Sequence, residues 1–113
     1  MTVPLYQAKA ELLRTLGHPA RIRILELLSE RDHAVHELLE QIAIEPSNLS
    51  QQLAVLRRTA LVSSHRRDGE VVYSISVPEV RDFLMSARRI LASLAASQSE
   101  FEAELTPATT SSR

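Results

Sequence analysis

The chain has no cysteine and no tryptophan among its 113 residues. Without cysteine there are no disulfides, no thiolate metal sites, no iron–sulfur cluster ligands and no cysteine nucleophile. Glycine occurs only twice and aromatic residues make up 4%. A fold built of β-turns and strands draws on many glycines and β-formers, so helix is favoured. Two glycines also leave little material for a nucleotide-cradling loop. No apolar run approaches the roughly 20 residues of a membrane span, and residues 1–9 lack the basic-then-apolar pattern of a signal peptide. A cytoplasmic protein with no membrane partner is expected. At 44% hydrophobic and 24% charged, the composition is that of a globular domain.

The net charge of −1 is unevenly spread. Residues 1–45 carry −2 and residues 68–113 carry −3. Residues 46–67 carry +4, from Arg57, Arg58, Arg66 and Arg67 with no acid between them. A basic island between acidic ends suits attraction to phosphate better than the total implies.

The apolar spacing gives the order helix, helix, helix, helix, β-hairpin, helix. Leu5, Ala8, Leu12, Leu13 and Leu16 make a first helix that stops at Gly17. Pro19 opens a second, with Ile22, Ile24, Leu25, Leu27 and Leu28 apolar over much of its circumference. A short third helix is expected over 35–42. After the connection 43–46, Ser47 is the N-cap candidate of a fourth helix reaching about 59. Leu49, Leu53 and Leu56 form its buried stripe. Ser47, Asn48, Gln51, Gln52 and Val55 fall on the other side, with Ser50 on the flank. Asp68-Gly69 joins β-prone runs at 61–67 and 70–76, a strong hairpin signal. A last helix of roughly 25 residues follows Pro78, giving one domain over 1–105 and a disordered tail at 106–113.

Helices three and four make a helix-turn-helix candidate whose second helix fits the DNA major groove. Ser47, Asn48, Ser50 and Gln51 supply short hydrogen-bonding groups at its start. Asn and Gln can pair with adenine, and Ser with bases or phosphates. A solvated face with a capping serine is the competing reading. Arg57 and Arg58 either contact phosphate or offset the helix dipole. His65, Arg66 and Arg67 occupy the position of a DNA-binding wing, although exposed arginines on a hairpin also serve as solubilising charge. Leu5, Leu12 and Leu16 on the first helix and Phe83, Ile90 and Leu94 on the last carry more apolar surface than one small domain covers. Pairing two copies about a two-fold axis would bury it.

The segment Leu16-Gly17-His18-Pro19-Ala20-Arg21-Ile22-Arg23-Ile24-Leu25 resembles the L-x-x-P-x-R-x-x-I-L segment of the ArsR/SmtB family of bacterial repressors. Residues 46–58 are similar to that family's recognition helix. Leu61-Val62, Arg67-Asp68-Gly69 and Val72-Tyr73-Ser74-Ile75 are similar to its wing. The resemblance covers about residues 8–100. It implies a winged helix-turn-helix homodimer that represses transcription at a palindromic double-stranded operator, with Ser47, Ser50 and Gln51 at base-contacting positions. The opening residues 3–10 and the lack of cysteine resemble a nickel-linked actinobacterial member.

The resemblance also implies two metal-site locations. The Cys-x-Cys site corresponds to Ala34-Val35-His36, and the last-helix site to Val77, Glu79, Ile90 and Ser93, so neither ligand set is present. His33 and His36 remain as Ni²⁺ or Zn²⁺ candidates, with Asp32 and Glu37 nearby. Two exposed histidines at a helix start are the plain alternative. The expectation is that no cofactor is required, that any binding of Ni²⁺ or Zn²⁺ is weak, and that a separate sensor protein or a non-metal ligand does the sensing. No strained nucleophile turn or phosphate loop points to an enzyme. The other class in play is a helical protein-interaction module without DNA readout.

Overall fold

The computed structural model describes residues 2–105. The elements are α1 (Leu5–Leu16), α2 (Pro19–Glu30), β1 (His33–Ala34), α3 (Val35–Gln41), α4 (Pro46–Arg58), β2 (Val62–Arg67), β3 (Glu70–Ile75) and α5 (Glu79–Leu105). The tail expected at 106–113 lies outside the described residues. Residues 1–105, read from the sequence as one domain, divide into two compact units, one ending at Arg81 and one beginning at Asp82.

In the first unit, Ile24, Leu25 and Leu28 of α2, Leu38 of α3, and Leu49, Leu53 and Leu56 of α4 are fully buried. Each such side chain contributes roughly 1.5–3 kcal/mol by leaving water. The i, i+4, i+7 stripe of α4 therefore decides which side of that helix faces outward. His18 caps α2: its Nδ1 accepts from the Ala20 N–H at 3.2 Å, and Pro19 occupies the first helical position, where no donor is needed.

The α4 N-terminus differs from the expectation. Glu45 is the N-cap and Pro46 the first helical residue, so Ser47 lies within the first turn rather than capping it. At the other end Ala60 adopts φ 65°. The Leu61 N–H reaches the Leu56 carbonyl and the Ala60 N–H reaches the Arg57 carbonyl, each at 3.0 Å. That is a Schellman stop, and it turns the chain into β2.

Asp68 and Gly69 have φ 53° and 82°. Positive φ at both central residues is what a two-residue type I′ hairpin requires, and it sets Arg67 opposite Glu70. The sheet has three strands in the order β1-β3-β2, not the two expected. The additional strand pairs His33 with Tyr73 and Ala34 with Val72, antiparallel. It turns a free hairpin into a sheet anchored beside α3.

The second unit consists of α5 beyond Arg81. Phe83, Ile90, Leu94 and Phe101 are exposed along it at helical spacing. No helix among the described residues is long and apolar enough to cross a membrane.

Candidate nucleic-acid interface

Residues 42–45 join α3 to α4, and α4 packs against both α2 and β2. With the leucine stripe inward, Ser47, Ser50, Gln51 and Ala54 are exposed and Asn48 is half-buried. Ser47, Asn48, Ser50 and Gln51 are short polar groups in the first two turns of a helix, where a groove-inserted helix meets base edges.

Gln52 departs from the sequence reading. It is only 8% exposed, and its amide is bonded to Arg21 on α2 and to Asn48 on α4. Arg21 thereby lies behind the exposed polar face of α4. The sequence carried its signal only in the segment 16–25, without naming a task for it.

Arg57 and Arg58 are exposed in the last turn of α4 and make no ion pair among the described residues. On the wing, Arg66 donates from Nη1 to the Gly69 carbonyl at 3.0 Å. Arg67 Nη2 lies 3.4 Å and His65 Nε2 4.0 Å from Asp32 Oδ2. Alternation along β2 puts His65 and Arg67 on one face and Arg66 on the other. Asp32 was read from the sequence only as an acidic neighbour of the two histidines. Its contact with the wing arises from β1 pairing with β3.

Two further expectations change. Leu16 is 5% exposed and belongs to the core of the first unit, so it is not available to a second copy as Leu5 and Leu12 are. The histidine pair is split. His33 lies in β1, 3% exposed, with Nδ1 2.9 Å from the Arg31 carbonyl. A carbonyl only accepts, so Nδ1 carries the proton and is not a free ligand there. His36 is exposed on α3, with Nδ1 3.4 Å from Glu70 Oε1. Among the described residues, no group of three or more histidine or acidic side chains could hold a metal. Beside them, Glu37 accepts from the Ala34 N–H at 2.8 Å and faces Arg31. These two contacts, the backbone bond foremost, hold its carboxyl below the usual glutamate range.

Residues 18–64 match the family described as bacterial regulatory protein, arsR family. An HTH-type transcriptional regulator of Mycobacterium tuberculosis, Rv0081, is 54% identical over 90 residues, 79% of each chain. Its crystal structure superposes with a TM-score of 0.78 at 50% identity, covering 86% of this chain and 98% of that one. The crystal structure of the transcriptional repressor BigR from Xylella fastidiosa gives a TM-score of 0.70 at 33% identity, over 75% of this chain and 87% of that one. The homodimeric winged helix-turn-helix DNA-binding domain Mb0332 of Mycobacterium bovis shares the fold, with a TM-score of 0.68 at 22% identity over 78% and 82%. A polar-faced α4, an anchored hairpin wing and these likenesses agree: the chain belongs to the ArsR family, and it is a winged helix-turn-helix DNA-binding transcriptional regulator, not an enzyme.

Proposed function

We propose that two copies of this chain bind a two-fold symmetric operator in the cytoplasm, each laying α4 in a major groove and its wing along the adjacent backbone. Ser47, Ser50 and Gln51 read base edges, Asn48 contacts DNA beside them, and Arg57, Arg58, Arg66, Arg67 and His65 meet phosphate. The observation that carries this reading is the exposed polar face of α4, with Arg57 and Arg58 unpaired among the described residues at its end. Exposed apolar side chains on α5, with Leu5 and Leu12 on α1, supply the surface for pairing.

The test is operator binding across a salt titration. Each phosphate neutralised releases a counterion, so log K falls linearly with log salt at about 0.9 per contact. Gln51→Ala should lose about 1–3 kcal/mol of discrimination at one base position. Binding that is insensitive to salt, or equal for operator and random DNA, would defeat the reading.

For the effector, the same reading gives weak affinity for Ni²⁺ and Zn²⁺ and little effect of either on DNA binding by this chain alone. The placement of the side chains supports it: His33 is 3% exposed in β1 while His36 is exposed on α3 beside Glu70, so the two do not lie on one helix face. A ligand that switches repression must favour one state by several kcal/mol, and fixed ligand geometry is the usual source. Sensing is therefore assigned to a separate protein or a non-metal ligand. Submicromolar Ni²⁺ binding by calorimetry, coupled to release from DNA, would refute this.

A further inference from the structure

Arg21, Gln52 and Asn48 form a hydrogen-bonded relay running from α2 to the DNA-facing start of α4. We propose that Arg21 fixes the direction of every bond in it, so that the end of the Asn48 amide left to meet DNA is its Nδ2 donor. The proposal rests on the major-groove placement of α4.

A guanidinium donates and never accepts. Arg21 Nη1 donates to the Thr15 carbonyl at 3.1 Å, which satisfies a carbonyl at the C-terminal turn of α1 and orients the side chain. Arg21 Nε donates to Gln52 at 2.8 Å, and only the oxygen of that amide can receive it. The two ends of an amide have almost the same shape, but here the donor-only partner decides between them. Gln52 Nε2 is then the end that faces Asn48, 2.8 Å away, and it needs an acceptor. Asn48 must answer with Oδ1, which leaves Nδ2 as its outer end. Asn48 Oδ1 keeps a second lone pair, but the bond from Gln52 fixes which way round the amide sits, and turning it over would strand a donor that is almost buried, which is costly. The matching group on DNA is an acceptor, either a guanine or thymine edge or a phosphate oxygen.

Gln52→Glu reverses the relay. A carboxylate still accepts from Arg21 but has no donor for Asn48, whose amide then turns Nδ2 inward and shows Oδ1 to the DNA. The experiment measures binding to a library of operators randomised base by base, for the protein as it stands, Gln52→Glu, Asn48→Ala, and the two changes combined. If the acceptor is a base, Gln52→Glu shifts preference at one position about tenfold. If it is a phosphate, affinity falls about tenfold for all sequences alike. In both cases the effect is absent in the Asn48→Ala background, since coupling between neighbours appears as non-additivity. An equal effect of Gln52→Glu in both backgrounds overturns the proposal. Should Gln52→Glu fail to fold, Arg21→Lys and Arg21→Gln make the same comparison. The lysine only donates and keeps the preference, whereas the glutamine also accepts and relaxes it; identical preference in both is a refutation. Gln51→Ala separates the two levels. If it alters readout while the cycle shows no coupling, the relay alone falls. If it too changes nothing, the placement of α4 falls and the relay with it.

Discussion

Asp32 Oδ2 stands 3.4 Å from Arg67 Nη2, so the residue just before β1 holds a wing arginine that the proposed function assigns to phosphate. His65 shares that carboxylate at 4.0 Å. As a solvent-exposed pair the contact is worth little to the fold, about 0–1 kcal/mol. Its larger effect is competition, since a carboxylate beside the wing opposes a polyanion. Asp32→Asn should leave thermal stability nearly unchanged and tighten DNA binding several-fold for all sequences, most at low salt. Arg67→Ala should weaken binding to all sequences and reduce the salt slope by about 0.9. A change in base preference for either variant would mean the wing reads sequence or groove shape.

Ala60 holds the left-handed position of the Schellman stop at φ 65°, where a Cβ costs about 1–2 kcal/mol. Ala60→Gly removes that cost but adds backbone entropy to the unfolded chain, about 0.4–1 kcal/mol. The balance favours glycine by about 0.5–1 kcal/mol. A rise of a few degrees in Tm, with operator affinity unaltered, is the expected outcome. A lower Tm would show that the turn is not strained.

The legible parts of this fold are those written in local spacing. Leu49, Leu53 and Leu56 announce both α4 and its buried side, and Asp68-Gly69 announces the hairpin with its turn type. What was not legible depends on distant partners. His33-Ala34 is a strand only because Tyr73 and Val72 lie alongside, about forty residues on. Gln51 and Gln52 are the same residue type about 100° apart on one helix. One of them is held inward by the arginine on α2, and the other is exposed. Leu16 shares the spacing of Leu5 and Leu12, yet it alone of the three is covered by the core.

Glu37 ties α3 to β1 by accepting from the Ala34 N–H, and its pKa is lowered first by that bond and then by Arg31. A carboxyl with a depressed folded pKa contributes stability above its unfolded value of about 4.3, and that contribution is lost as pH falls through the folded value. Glu37→Gln keeps an acceptor for the backbone but has no proton to gain. The variant should be the less stable protein at pH 7, and the gap should close as pH drops below the ordinary glutamate range. Urea unfolding of both proteins at pH 7 and at about pH 3 checks it. A gap that stays constant over that interval would remove Glu37 from the acid sensitivity of the fold.

Ile90 is 59% exposed and Leu94 61% on the stripe of α5 that also carries Phe83 and Phe101. An apolar row of this length left in water marks an interaction surface. In the proposed dimer a second copy meets it with the same residues, as two-fold pairing requires. A carboxylate in the middle of such a contact would be buried without a partner, at a cost of several kcal/mol. Ile90→Glu should therefore convert dimer to monomer in sedimentation at micromolar concentration. Operator binding should fall further than any single DNA contact explains, because two linked half-sites gain about 10²–10⁴ in avidity that separate ones do not. The fold itself should survive, since Ile90 is not part of the buried core. Leu16→Ala gives the opposite pattern: a core leucine lost to a cavity costs about 2–5 kcal/mol of stability, with association intact at temperatures where the protein is folded. A stable monomer before any substitution, or an Ile90→Glu protein that still sediments as a dimer, would place the pairing surface elsewhere.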